Sequence, residues 1–222
     1  MDDALNGNVS SAPGQAVYSR FVLRLYDWFV LDVSCTRIWQ CRSEHLLTHY
    51  ESQLGAVHLD VGVGTGFFLD KARYPVERPD VTLLDLNAQS LAYTAERIAR
   101  YSPKVVQADV LEPNTLPNGR YDSIGMNFLL HCLPAGGQGK WRVFDHLKPK
   151  LVPGGRLFGS TIIGSPEPPL ARQRWLMRRY NQRGIFGNAS DSAAILRAEL
   201  SRRFSKVEIQ QEGVVALFSA HD

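Results

Sequence analysis

Gly62, Gly64 and Gly66 form the most informative local pattern in the sequence, because they follow a short apolar run at 57–61. Glycine lets a chain turn tightly and bring its backbone amides close to a ligand. The spacing departs from the dinucleotide-binding fingerprint, whose third glycine would stand where this chain has Phe67. Glycine-rich turns also occur for packing reasons alone. If a ligand binds here, the spacing fits a nucleotide-like molecule without phosphates better than a pyrophosphate.

Three aspartates stand near the ends of successive predicted strands, beside this turn. Asp60 stands just before the turn, Asp85 follows Gly66 by about 20 residues, and Asp109 ends the third strand. A carboxylate at position 60 would repel a pyrophosphate but would suit a ligand with an ammonium and a sulfonium centre. Asp85 has the spacing of an acid that binds ribose hydroxyls, and Asp109 could accept a hydrogen bond from an adenine amine. Each acid alone could be a loop residue or a helix cap, but the three together predict a ligand site at the carboxyl edge of a parallel sheet.

Short apolar segments alternate with helical patterns after residue 55. Strands are predicted at 57–61, 81–85, 104–107, 123–128, 156–163, 207–211 and 214–219. Helices are predicted from the glycine turn to residue 75 and at 88–100, 141–151, 170–182 and 192–204, with Asn87 as one cap and Ser190 or Asp191 as another. The alternation predicts an α/β fold with a mostly parallel sheet and helices on both faces. Residues 153–155 are predicted as a turn, and the last two strands, joined at Glu212 and Gly213, must be antiparallel.

Length and composition are typical of one globular domain, which we assign to residues 16–222 of the 222-residue chain. The net charge of +3 arises from 25 basic and 22 acidic residues, a balance that argues against a nucleic-acid partner. No apolar run approaches the length of about 20 residues that a membrane span needs. Residues 1–15 are polar and are expected to be a disordered lead without signal-peptide features. The odd cysteine count without zinc-site spacing predicts no metal site, and free thiols in the cytoplasm, at Cys35, Cys41 and Cys132.

These motifs resemble those of the class I S-adenosylmethionine (SAM)-dependent methyltransferases over residues 55–220. The resemblance rests on the segments LDVGVGTG at 59–66, LD at 84–85, ADV at 108–110, YDSIGMN at 121–127 and LVPGGRL at 151–157. It implies a Rossmann-like sheet of seven strands in the order 3-2-1-4-5-7-6, with the last strand antiparallel. It also implies that SAM is the cofactor and that S-adenosylhomocysteine is the product.

The resemblance implies a role for each residue at this edge of the sheet. The glycine turn would support the methionine part of SAM, and Asp60 would help to hold its ammonium group. Asp85 would bind the ribose, and Asp109 would bind the adenine amine. Leu86 or Val110 would pack on the adenine ring.

The segment after the fourth strand should lie beside the transferred methyl group. Methyl transfer requires alignment of the acceptor and exclusion of water, and a hydroxyl or carbon acceptor also needs a base. His131 is the best-placed base candidate, and the alternative is a structural histidine. Asn127 either contacts the cofactor or forms a turn. The Asn-Pro-Pro-Tyr signature for amines of DNA bases and glutamine is missing, since the sequence at 127–130 is Asn-Phe-Leu-Leu, which argues against those acceptors.

Two further regions could shape the acceptor pocket. Residues 16–50 carry apolar residues at helical spacing, and in the enzymes that the chain resembles such a segment covers the site. Tyr18 and Tyr26 are the pocket candidates there, although aromatic residues at this spacing also serve as plain core. A basic cluster, in which Arg178 is the pocket candidate, follows the fifth strand and could attract an acidic substrate or form a solvated helix face. Its members are Arg172, Arg174, Arg178, Arg179 and Arg183.

The sequence therefore predicts a methyltransferase for oxygen, nitrogen or carbon of a small apolar molecule, such as a secondary metabolite or a quinone-like compound. We expect a monomer or a homodimer. One alternative is an RNA or protein acceptor, which would require a broad basic surface and salt-sensitive binding. A second alternative is a SAM-binding protein that does not methylate, either a cyclase-like enzyme or a partner subunit.

Overall fold

The computed structural model describes residues 38–134, 139–165 and 168–222. The expected lead at 1–15 and most of the expected cover at 16–50, with Tyr18 and Tyr26, lie outside the described residues. The helices are α1 (Ser43–Gln53), α2 (Phe67–Lys71), α3 (Ala88–Arg97), α4 (Arg142–Leu147), α5 (Ala171–Gln182) and α6 (Ala193–Ser201). The strands are β1 (Val57–Val61), β2 (Asp80–Asp85), β3 (Lys104–Gln107), β4 (Tyr121–Asn127), β5 (Leu151–Ile162), β6 (Lys206–Glu212) and β7 (Val215–His221).

The strands form one sheet in the order β3-β2-β1-β4-β5-β7-β6. Strands β1 to β5 pair in parallel, whereas β7 is antiparallel to both β5 and β6. The predicted fold class and strand order are confirmed. Because β1, β2 and β3 are parallel neighbours, their carboxyl ends lie side by side at one edge of the sheet.

Both faces of the sheet are buried, as expected for parallel strands covered by helices. On β2, Val81 and Leu83 pack in a cluster that includes Tyr50 of α1. Leu84 packs in the cluster on the other face, together with Ile124 of β4. This division follows from the two-residue period of a strand, which points neighbouring side chains to opposite faces.

Side-chain caps begin two of the helices. Asn87 caps α3 as predicted, since its Oδ1 accepts hydrogen bonds from the backbone N–H groups of Gln89 at 2.8 Å and Ser90 at 3.3 Å. The predicted cap of α6 was wrong by one or two residues, because the cap is Ser192, whose Oγ accepts from Ile195 N–H at 3.1 Å. Such a cap satisfies backbone donors that the first helical turn leaves without partners.

Several element boundaries differ from prediction. The expected turn at 153–155 lies inside β5, where it forms an irregularity in the pairing with β4 between Tyr121 and Ser123. The expected helix at 141–151 ends at Leu147 and continues as a 3-10 turn that contains Pro149, because proline lacks an N–H group for an α-helical hydrogen bond. The described end of the expected cover is also not one helix, since α1 begins only at Ser43.

The segment before α1 packs on the turn between β6 and β7. Val214 N–H donates to the Trp39 carbonyl oxygen at 3.1 Å, and Trp39 is buried. Gly213 has a φ of +56°, and a Cβ atom there would lie only 2.3 Å from the Trp39 oxygen. The turn therefore needs glycine for its conformation and for the close approach of residue 39.

Substitution of Gly213 by alanine tests this contact, with Gly154→Ala as the matched control. Gly154 has a φ of +78°, but a Cβ atom there meets nothing within 4 Å. Gly154→Ala should lower the free energy of unfolding by about 1–2 kcal/mol, the cost of a left-handed residue. Gly213→Ala should lower it by more than about 3 kcal/mol, because the clash adds to that cost. Equal losses in urea unfolding would show that residue 39 moves away without cost.

Candidate functional site

The glycine turn joins the end of β1 to α2 at the carboxyl edge of the sheet. Gly62, Gly64 and Gly66 have φ values of +75°, +54° and +69°. Cβ atoms at Gly62 and Gly66 would collide with the side chains of Leu129 and Thr94, at 2.9 and 2.6 Å. A Cβ atom at Gly64 would meet nothing within 4 Å. The middle of the turn therefore faces open space, where a ligand can approach the backbone.

Asp60 is the first carboxylate of this edge. It lies on β1 beside Gly125 of β4 and is 6% exposed. The Tyr50 hydroxyl of α1 donates to Asp60 Oδ2 at 2.7 Å. This hydrogen bond holds the carboxyl group in one orientation. Asp60 therefore provides a nearly buried acceptor, oriented from inside the protein, next to the glycine turn.

Asp85 is the second carboxylate and lies at the end of β2. The pKa of Asp85 is raised to about 6, mainly by burial and in part by the charge of Asp60, although hydrogen bonds from backbone N–H groups lower it. One of these donors is Asn87 N–H, at 2.8 Å from Oδ1, and Gly64 N–H is another. Asp85 is thus tied to the glycine turn and feels the charge of Asp60.

Asp109 follows β3, with Leu86 and Val110 nearby in the same edge loops. Asp109 Oδ1 accepts from Leu111 N–H at 2.9 Å, which fixes the turn after the strand. Val110 is 5% exposed, and the half-buried Leu86 accepts a hydrogen bond from Gln107 Nε2 through its carbonyl oxygen. The loops after β2 and β3 therefore bring a carboxylate, Asp109, and two apolar residues, Leu86 and Val110, to the same edge of the sheet.

Asn127 ends β4 at the same edge. Its Oδ1 accepts from Ser160 Oγ of β5 at 3.0 Å. Its Nδ2 is buried, and among the described residues it has no hydrogen-bond partner. The next residue, Phe128, has a φ of +53°, which is strained for a side chain of this size. A buried donor without a partner beside strained backbone indicates a site that a ligand completes.

His131 is 3% exposed and lies behind this edge. Its Nδ1 accepts from Ile162 N–H at 3.3 Å, so in the neutral ring the proton is on Nε2. Burial, together with the nearby Lys140 ammonium, lowers the pKa of His131 to about 3. Nδ1 carries no proton at neutral pH and already accepts a hydrogen bond. The imidazole ring of His131 is therefore a weak base. These features count against proton abstraction by His131.

Aromatic rings surround His131, a feature that the sequence did not indicate. The ring of Phe186 lies edge-on at 4.6 Å between centroids, Phe128 lies at 5.9 Å, and Tyr180 contacts Phe186 at 4.9 Å. Phe128, Tyr180 and Phe186 are partly exposed. Phe186 stands in the loop after α5, where the only sequence signal is the apolar pair 185–186 among polar residues. Together these rings form a wall next to Asn127.

The basic cluster lies on α5. Arg178 is exposed, and the buried residues of this helix are Gln173 and Met177. The Arg179 guanidinium lies 5.6 Å from the ring centre of Trp175, which is 62% exposed. This geometry is that of a basic helix face turned to solvent, and a pocket role for Arg178 stays a prediction.

Neither a metal cluster nor a membrane span is found in the part of the chain that the structure describes. No group of three or more histidine, cysteine, aspartate or glutamate side chains there is arranged to hold a metal ion. Among the described helices, none has the length and apolar character that crossing a membrane demands.

The residues of this edge fit SAM by their chemistry. Three carboxylates can accept hydrogen bonds from an ammonium group, ribose hydroxyls and an adenine amine. The open space above Gly64 admits a ligand close to the backbone, and the unpartnered Asn127 Nδ2 offers one further donor. The same carboxylates would repel the phosphates of a dinucleotide.

Comparisons with known proteins agree with this chemistry. A methyltransferase domain model matches residues 59–157. The chain is 41% identical to a demethylluteothin O-methyltransferase of Streptomyces thioluteus, over 93% of this chain and 90% of that protein. It is 35% identical to a physcion biosynthesis cluster O-methyltransferase of Aspergillus chevalieri, over 93% and 94% of the two chains.

Among solved structures, the chain resembles the N-methyltransferase NodS from Bradyrhizobium japonicum WM9 in complex with S-adenosyl-L-homocysteine. The two share 16% identity with a TM-score of 0.65, over 97% of this chain and 99% of NodS, and this likeness shows the fold. With the domain match and the identities to the two O-methyltransferases, it shows that the chain belongs to the class I SAM-dependent methyltransferases that act on small molecules.

Proposed function

We propose that the protein is an O-methyltransferase for a small apolar molecule with an acidic hydroxyl group, such as a phenol or an enol. SAM supplies the methyl group as a sulfonium compound. In this proposal the glycine turn and Asp60 bind its methionine part, and Asp85 binds the ribose. Asp109 binds the adenine amine, with Leu86 and Val110 against the ring, and Asn127 adds a donor.

The aromatic wall next to Asn127 supports an apolar, flat acceptor. Phe128, Tyr180 and Phe186 keep part of their surface exposed although they pack around the buried His131. Aromatic faces bind flat apolar molecules by stacking and exclude water from the reacting atoms. The O-methyltransferase relatives, one named for demethylluteothin and one for physcion biosynthesis, favour oxygen as the attacking atom.

The state of His131 supports an acceptor that ionises without help from a buried base. Nδ1 is already an acceptor for Ile162 N–H, and the pKa of the ring is lowered to about 3. A phenol or an enol loses its proton near neutral pH far more readily than an aliphatic alcohol, so solvent can remove it before the acceptor is enclosed. We therefore assign His131 to packing of the wall rather than to proton abstraction.

We also propose a cytoplasmic location and an oligomeric state. Cys41 and Cys132 are not joined in a disulfide, which is compatible with reducing surroundings. We propose a monomer or a homodimer, which light scattering of the purified protein distinguishes.

Transfer to acceptors of graded acidity tests the proposed reaction. Purified protein with SAM is offered demethylluteothin, a series of substituted phenols, and matched anilines, and S-adenosylhomocysteine release is measured. We expect release with hydroxyl acceptors, with kcat/KM rising with pH until the hydroxyl is ionised. Transfer to anilines alone would instead establish an N-methyltransferase. Cofactor binding without transfer to any acceptor would favour the alternative of a protein that does not methylate.

Substitution of His131 by glutamine tests its assignment. Because glutamine keeps an oxygen that can accept from Ile162 N–H, kcat with the best acceptor should change by less than about threefold. Cofactor affinity should also stay the same. A loss of kcat of about 100-fold or more, with unchanged cofactor affinity, would restore His131 as the base.

The raised pKa of Asp85 predicts that cofactor affinity depends on pH. Because a carboxylate accepts hydrogen bonds from ribose hydroxyls more strongly than a protonated carboxyl group does, S-adenosylhomocysteine should bind about tenfold more tightly at pH 7.5 than at pH 5, as Asp85 loses its proton near 6. Calorimetry at several pH values measures this step. In Asp85→Asn the affinity at pH 7.5 should fall by at least about tenfold, and the affinity should no longer change between pH 5 and pH 7.5. If the affinity of the variant still changes between these pH values, the titrating group is a residue other than Asp85.

A further inference from the structure

Asp60 is the end of a chain of buried hydrogen bonds that reaches into the protein. Tyr50 Oη of α1 donates to Asp60 Oδ2 at 2.7 Å and lies 3.0 Å from His58 Nε2. His58 Nδ1 lies 2.8 Å from Ser123 Oγ on β4, and this oxygen accepts from Gly55 N–H at 2.8 Å. The side chains of Tyr50, His58 and Ser123 are fully buried, and Asp60 is 6% exposed.

With neutral His58, one order of protons satisfies every group in the chain. The carboxylate can only accept, so the Tyr50 hydroxyl donates to it and must itself accept from His58 Nε2–H. His58 Nδ1 then carries no proton and accepts from the Ser123 hydroxyl. The hydrogen bonds therefore all point towards Asp60. A directed chain of this kind strengthens its last bond and fixes the position of the acceptor.

A comparison of the buried Tyr50 with the half-buried Tyr74 separates this function from packing. Tyr50 and Tyr74 both lie edge-on to His58, at 5.7 and 6.5 Å between ring centroids. The hydroxyl of Tyr74 is buried and has no hydrogen-bond partner among the described residues, whereas that of Tyr50 contacts Asp60 and His58. A buried tyrosine hydroxyl is thus accommodated here without a hydrogen bond from the described residues, so packing alone does not explain the bond from Tyr50.

We propose that Tyr50, His58 and Ser123 are positioning residues that hold the Asp60 carboxylate for the ammonium group of the methionine part of SAM. This inference rests on the proposed role of Asp60 in cofactor binding. The bond from Tyr50 fixes Oδ2, and with it the orientation of the second carboxylate oxygen. Because Tyr50 is part of α1, the helix that packs behind the sheet also sets how firmly the ammonium group is bound.

Two ligands that differ at the ammonium group provide the test. S-adenosylhomocysteine carries the amino-acid group, and 5′-methylthioadenosine has the same adenosine and thioether parts without it. Calorimetry with wild type, Tyr50→Phe and the matched control Tyr74→Phe measures both affinities. Phenylalanine keeps the ring contacts of Tyr50 with Phe68 and Phe158.

Tyr50→Phe should bind S-adenosylhomocysteine about tenfold more weakly and 5′-methylthioadenosine less than about twofold more weakly, because only the first ligand reaches Asp60 with a charge. Tyr74→Phe should leave both affinities unchanged. Equal weakening of both ligands, or no weakening of either, would overturn the inference. If Tyr50→Phe does not fold, Ser123→Ala carries the same test at the far end of the chain, with an expected loss of about threefold for S-adenosylhomocysteine alone.

Asp60→Asn separates a failure of this inference from a failure of the proposed function. If wild-type protein binds neither ligand, the proposed cofactor site and this inference both fall. If Asp60→Asn selectively weakens binding of S-adenosylhomocysteine but Tyr50→Phe does not, Asp60 binds the ammonium group without help from the hydrogen bonds of Tyr50, His58 and Ser123. Only the positioning inference is then wrong.

Discussion

The crowding of negative charge at one edge of the sheet is the constraint on which the rest of the site depends. Asp60 and Asp85 lie on neighbouring strands, and the charge of Asp60 helps to raise the pKa of Asp85 to about 6, after the larger effect of burial. Keeping both acids ionised costs free energy unless donors surround them. The protein supplies some donors from the Tyr50 hydroxyl and the backbone of the glycine turn. In the proposed function, the ammonium group and ribose hydroxyls of SAM supply the others.

The parallel sheet creates this crowding through its topology. Since β1, β2 and β3 run in the same direction as neighbours, each ends at the same edge and delivers one acid there. The unusual backbone of the site follows from the same arrangement, because the chain must leave each strand abruptly. Gly64 makes room for a ligand by lacking a side chain, and Phe128 adopts a left-handed conformation directly after Asn127. The open backbone at the glycine turn and the three neighbouring aspartates thus both follow from the order and direction of the strands.

Local sequence patterns predicted most of the sheet and the composition of its edge. The segments at 57–61 and 104–107 became β1 and β3 with the predicted bounds, because each is short and lies next to residues that interrupt a strand, glycine at 55 and 62 and proline at 103. The segment at 153–155 misled the prediction, because its proline and glycines form an irregularity within β5 that only pairing with β4 reveals. Contacts between distant residues could not be predicted in this way. Nothing near Tyr50 in the sequence indicates its bond to Asp60, and the neutral state of His131 depends on burial by Phe186, 55 positions away.

A crystal structure of the protein with S-adenosylhomocysteine tests the central claim most directly. We predict that the ribose hydroxyls lie within hydrogen-bond distance of Asp85, the ammonium group lies at Asp60 directly or through one water molecule, and the adenine amine lies at Asp109. The backbone of Gly64 should contact the ligand without any displacement of the turn. A ligand bound away from the three carboxylates, or an edge that binds a pyrophosphate compound in its place, would contradict the claim.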